Sequence, residues 1–65
     1  MNVILNGEAT EITEQNLEEL CKRFLDHPHY VATAVNGEFV AVKEREKFVL
    51  SEGDKIEVLS PRQGG

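Results

Sequence analysis

The residues that could do chemistry stand together at one end of the sequence. After Leu59 the chain reads Ser60-Pro61-Arg62-Gln63-Gly64-Gly65, with no large apolar side chain to bury. Pro61 lacks an N–H and cannot continue a central strand ladder. Residues 60–65 are therefore expected to leave the fold as an extended tail, reaching about 20 Å at ~3.3–3.6 Å per residue. Glycine has no Cβ, so its backbone approaches a neighbour closely and takes almost any φ/ψ. A terminal carboxylate on such a segment can thread a narrow channel in another protein. A carboxylate is a poor electrophile, but ATP converts it to an acyl adenylate, which is a good one. A sulfur nucleophile can then displace AMP and leave a thiocarboxylate, a tethered form of sulfide. Gly65 is the candidate reactive residue and Gly64 gives it access. Glycine-rich termini also occur with no function, so the pair gains meaning only from the elements before it.

Other reactive side chains are few. Cys21 is the single cysteine, so no intramolecular disulfide is expected. It falls in a helical apolar stripe, where a cysteine acts as a small hydrophobe. His27 and His29 flank Pro28. With Cys21 they lack a fourth ligand and match no standard metal spacing, so a solvent loop is expected. The many carboxylates read as a solvated surface, because no pattern brings a pair together for acid–base work.

The elements that must position the tail follow from periodicity. Val3, Ile4 and Leu5 form a short apolar run before Asn6-Gly7. Both turn residues tolerate positive φ, as a type I′ hairpin turn requires, so residues 2–13 read as a hairpin. Leu17, Leu20, Cys21, Phe24 and Leu25 then recur at helical spacing. Asn16 and Glu19 form a capping pattern at its start, and Glu18, Glu19, Lys22 and Arg23 complement the helix dipole. Pro28 ends the helix by restricting the residue before it. Residues 31–35 and 38–42 are strand-like around a second turn, Asn36-Gly37. Residues 43–47 read as a charged connector and Phe48-Val49-Leu50 as a short apolar piece. Residues 51–54 read as a turn, and residues 55–59 as a last strand with Ile56 and Val58 on one face. One amphipathic helix must bury its stripe on the one available sheet face. The expected fold is α+β: a β-grasp, with a mixed sheet of four to five strands packed on one helix. Its last strand inserts beside the first and parallel to it. The domain is expected over 1–59 and the tail over 60–65.

Size and charge bound the function. With 65 residues there is one domain and no room for a deep catalytic cavity. The net charge of -5 opposes binding to phosphates or an anionic membrane surface. It suits a basic partner, because opposite potentials steer encounter. No run approaches a membrane span, and the start lacks the basic region of a signal peptide. A reducing cytoplasm and a monomer are expected. Leu59 should face away from the helix, and one of Phe39 or Val40 outward with it, since strand neighbours alternate. With Ser60, Pro61, Arg62 and Gln63, these form the candidate partner-binding residues. An apolar patch beside the tail is a docking surface in that reading and ordinary surface apolarity in the other.

The sequence resembles the ThiS family, the sulfur carriers of thiamine thiazole biosynthesis. The resemblance covers nearly the whole chain. It is carried by Asn6-Gly7; by Ala34-Val35-Asn36-Gly37-Glu38-Phe39-Val40; by Leu50-Ser51-Glu52-Gly53-Asp54-Lys55-Ile56-Glu57-Val58; and by Pro61-Arg62-Gln63-Gly64-Gly65. One departure stands at Val40-Ala41-Val42-Lys43, where the family often has Val-Pro-Arg. The resemblance implies a carrier and not an enzyme. A ubiquitin-activator-like adenylating enzyme would use ATP on Gly65, a cysteine desulfurase or similar donor would supply sulfur, and thiazole synthase would take it. The carrier itself would bind no metal or organic cofactor. Three alternatives stay open: a molybdopterin-type carrier, a ubiquitin-like modifier of proteins, and a β-grasp RNA- or protein-binding module of the TGS type. A ferredoxin is excluded, since a cluster needs about four cysteines.

Overall fold

The computed structural model describes residues 1–60. The elements follow the order β1 (Asn2–Leu5), β2 (Glu8–Glu11), α1 (Leu17–Phe24), a 3₁₀ turn (Pro28–Tyr30), β3 (Ala32–Val35), β4 (Glu38–Val40), a second 3₁₀ segment (Val42–Lys47) and β5 (Lys55–Leu59). Residues 61–65, where most of the expected tail falls, lie outside the described residues.

Each hairpin closes on its Asn-Gly pair. Asn6 and Gly7 have φ of 49° and 82°, and Asn36 and Gly37 have 53° and 86°, the sign that a type I′ turn demands at both positions. Both asparagines also reach the last strand. Asn6 Oδ1 accepts from Val58 N at 2.8 Å, and Asn36 Oδ1 accepts from Lys55 N at 3.0 Å. The turns thus fix β5 as well as their own strands. The sheet order is β2-β1-β5-β3-β4. β5 runs parallel to β1, with Leu5 opposite Ile56, and antiparallel to β3, with Val35 opposite Ile56. This is the expected mixed five-stranded β-grasp sheet.

The helix begins where the sequence places it. Asn16 Oδ1 accepts from Glu19 N at 2.8 Å, satisfying one of the free donors of the first turn. A bridge between Asn16 and Val49 anchors this end: Leu17 N donates to Phe48 O at 3.0 Å, and Leu50 N to Gln15 O at 2.8 Å. Leu17, Leu20 and Cys21 are buried against Val3, Ile12, Val35, Val40, Leu50 and Ile56. Each fully buried Val, Leu or Ile contributes about 1.5–3 kcal/mol. The stripe is shorter than its spacing suggests. Phe24 is exposed, and the Arg23 guanidinium lies 4.8 Å from its ring centre. Phe24 is the last residue of the helix, and Leu25 follows as its extended C-cap.

One expectation is refined and one corrected. The charged connector of residues 43–47 lies in a 3₁₀ segment and is exposed at four of its five positions, but Arg45 is only 1% exposed. Val40, a candidate partner-binding residue, is in the core at 6% exposure. Its register explains this: Val40 pairs with the buried Thr33 and Phe39 pairs with Ala34. The strand pleat therefore turns Phe39 outward and Val40 toward the helix.

Candidate functional site

The site forms on the sheet face opposite α1, at its β5-β3-β4 side. Period two sends Thr33 and Val35 inward and Ala32 and Ala34 outward along β3. Ala32 pairs with Leu59 on one side strand, and Ala34 pairs with Phe39 on the other. Two small side chains on the middle strand thus lie between two large exposed ones: Leu59 is 65% and Phe39 72% exposed. The result is a groove of about 380 Å³, floored by Ala32 and flanked by Leu59 and Phe39. Tyr30, Val42 and Ser60 line it too, and the largely buried Val40 and Arg45 border it from below. Ser60, the last described residue, lies at the rim of this groove.

Tyr30 is a functional candidate that sequence reasoning missed. It is 63% exposed and meets His27 edge-on, with ring centroids 5.9 Å apart. It lines both this groove and a second one on the other side of Ser60. An aromatic side chain beside Ser60 suits an anchoring role, since tyrosine carries large contact area at small entropic cost. Its only signal in the sequence was an aromatic residue in an otherwise polar turn.

Arg45 is the second. Its Nε donates to Thr33 Oγ1 at 3.1 Å, Nη1 to Pro28 O at 2.8 Å and Nη2 to Val31 O at 2.8 Å. Thr33 Oγ1 in turn donates to Val40 O at 2.8 Å. A buried cation without a carboxylate is costly, and here neutral acceptors offset that cost; hydrogen bonds to charged groups contribute about 1.5–3 kcal/mol each. Val42, Arg45 and Phe48 recur every three residues, the period of a 3₁₀ helix, which was the one available clue.

Of the remaining reactive groups, His29 also lines the groove and Cys21 does not. Cys21 is fully buried. Burial pushes its thiol above the ordinary value, against a weaker downward pull from Arg45, so it stays a protonated core side chain. Among the described residues no group of three His, Cys, Asp or Glu side chains is arranged to hold a metal ion. No helix among them is long and apolar enough to cross a membrane.

The model of the ThiS family matches residues 3–65. The chain belongs to the ThiS family. It is thereby a sulfur carrier of thiamine biosynthesis and not an enzyme. Among solved structures it is similar to a crystal structure of the thiamine biosynthesis protein ThiS from Geobacter metallireducens. Identity is 26%, both chains are covered in full, and the TM-score is 0.86. It is also similar to an NMR solution structure of a thiamine biosynthesis protein from the same organism. There the identity is 26%, coverage is 100% of this chain and 88% of the other, and the TM-score is 0.78. No curated protein matches the sequence. Of the readings that the sequence left open, the ThiS match selects the thiazole carrier over the molybdopterin-type carrier and the RNA-binding module.

Proposed function

We propose that sulfur is carried on the carboxylate of Gly65. The reading rests above all on the family match, which runs through Gly64 and Gly65. In this reading a ubiquitin-activator-like adenylating enzyme joins the Gly65 carboxylate to AMP, releasing pyrophosphate. A hydrosulfide equivalent attacks the acyl carbon, and AMP leaves with the carboxylate oxygen that it had bonded. The thiocarboxylate that remains is the sulfur donor for thiazole synthase. A cysteine desulfurase or a comparable donor supplies the sulfur. Gly64 supplies the side-chain-free approach, and Pro61, Arg62 and Gln63 lie along the channel that receives the tail. ATP is the adenylating enzyme's substrate, and the carrier holds no cofactor.

Docking falls to the groove. Leu59 and Phe39 offer exposed apolar area on either side of two alanines, beside Ser60. The chain's net charge of -5 favours a partner with a basic rim. Val40 borders the groove but offers little exposed area, because its side chain is buried.

Intact mass spectrometry tests the proposal. The chain is incubated with the adenylating enzyme, ATP and sulfide. The expected product is heavier by one sulfur for one oxygen, and the change maps to Gly65. A chain lacking Gly65 should stay folded and unloaded. Loading of that truncated chain would overturn the assignment.

A further inference from the structure

The Pro28–Tyr30 turn raises Tyr30 beside the groove, yet little of its own structure holds it there. None of its residues is buried and its N-cap makes no side-chain hydrogen bond. Its one internal backbone bond runs from Tyr30 N to His27 O at 3.0 Å. What brackets it is Arg45, through Pro28 O on one side and Val31 O on the other. The same guanidinium reaches Thr33 on β3, and Thr33 reaches Val40 on β4, the neighbour of Phe39. Three edges of one planar fork thus reach the turn, the floor strand and, through Thr33, the outer strand of the groove.

We propose that Arg45 is the positioning residue of the docking groove. Its fork sets the height of Tyr30 against Phe39 and Leu59, and so sets the affinity for the adenylating enzyme. It does not touch the acyl chemistry at Gly65. The inference rests on the docking reading above. Lysine cannot replace it, because a point ammonium lacks the fixed fork that reaches three separated acceptors. Methionine fills similar space and donates nothing.

The test is steady-state adenylation of the full chain by its adenylating enzyme, with carrier concentration varied, at a temperature where each variant is folded by circular dichroism. Arg45→Lys and Arg45→Met are expected to raise KM for the carrier about tenfold or more and leave kcat within about twofold. Amide exchange at residues 29–31 should quicken while that of α1 and β1 holds. Ile12→Val, a core change outside the groove, should leave KM unchanged. Folded Arg45 variants with the natural KM would overturn the proposal, as would an equal rise in KM for Ile12→Val. If the Arg45 variants do not fold, Thr33→Val removes one acceptor while keeping the shape. It should raise KM by about threefold, with Thr33→Ser restoring it, and an unchanged KM in Thr33→Val overturns the proposal. Phe39→Asp separates the two levels. If it leaves KM unchanged, the docking reading itself fails. If it raises KM and Arg45→Met does not, only the positioning role fails.

Discussion

The β1–β2 and β3–β4 hairpins are built on the same Asn-Gly turn, with nearly the same backbone angles. Their outward faces differ. The first hairpin turns Ile4 and Ala9 outward as a pair, flanked by Asn2 opposite Glu11. The second turns out Ala32, Ala34 and Phe39, and so builds the groove with Leu59. They are also tied to the rest of the chain differently. Behind the first hairpin, Glu14 is joined to Arg23 of α1 by an exposed pair at 3.1 Å. Behind the second, Arg45 is buried and, among the described residues, bonded to neutral oxygens alone. Turn chemistry therefore fixes the shape of both hairpins and says nothing of their use. The use depends on which side chains the pleat sends outward and on what holds the backbone beneath them.

The largest contrast is expected between the two arginines. Arg45→Ala leaves a hydroxyl and two carbonyls without their donor and opens a cavity. At about 1–3 kcal/mol for each unmet buried group, the loss should be about 3–5 kcal/mol. That is comparable with the whole stability of a chain this small, so chemical denaturation should find Arg45→Ala largely unfolded at 37 °C. A stability within about 1 kcal/mol of the natural chain would show that the network is dispensable.

The two outer faces come next. Phe39→Asp and Leu59→Asp should each lower kcat/KM for adenylation by about 30-fold or more, which corresponds to about 2 kcal/mol of lost docking. Ala9→Asp, an equal change of charge on the first hairpin, should leave kcat/KM within about twofold. Equal losses on both faces would mean that added negative charge alone repels the partner, and the groove would lose its special place.

Much of this contrast was visible in the sequence and some was not. The Asn-Gly turns, the Asn16 cap and the alternation of Ile56 and Val58 are local signals, and each forms as read. Phe39 against Val40 was not decidable locally. In Glu38-Phe39-Val40-Ala41-Val42 either parity leaves an apolar residue on each face, and only pairing to Thr33 on β3 decides it. Arg45 was hidden by its company in Lys43-Glu44-Arg45-Glu46-Lys47, where four neighbours are exposed and one side chain turns in. Its acceptors lie 12 to 17 residues away in sequence, beyond any local pattern. Phe24 shows the reverse error: its spacing is right and it closes the helix as the last helical residue, yet its side chain is exposed.

Within the turns themselves a smaller difference is expected. Asn36 makes two side-chain bonds, accepting from Lys55 N and donating to Asp54 Oδ1 at 3.0 Å each. Asn6 makes one, from Val58 N. Alanine at either site also meets the left-handed backbone, at about 1 kcal/mol. Asn36→Ala should therefore cost about 2 kcal/mol and Asn6→Ala somewhat less. Urea melts would rank them, and the opposite ranking would show that the bond to β5 from Asn6 matters more than the count of bonds.

The smallest effect is expected at Arg23. Its pair with Glu14 is half in solvent, and such pairs stabilise little. The Glu14 carboxyl is held below its ordinary value, first by its own backbone N–H and then by Arg23. A carboxyl depressed in the folded chain stabilises it above the unfolded value, and that contribution fades as pH falls through the folded value. Arg23→Ala removes only the arginine's share. Its melting curve should lie just below that of the natural chain at pH 7 and close on it as the pH is lowered from 6 toward 3. A gap that stays constant over that range would assign the loss to Arg23 stacking on Phe24 instead. The first hairpin's tie to α1 would then be apolar, and closer in kind to the second hairpin's than the charges suggest.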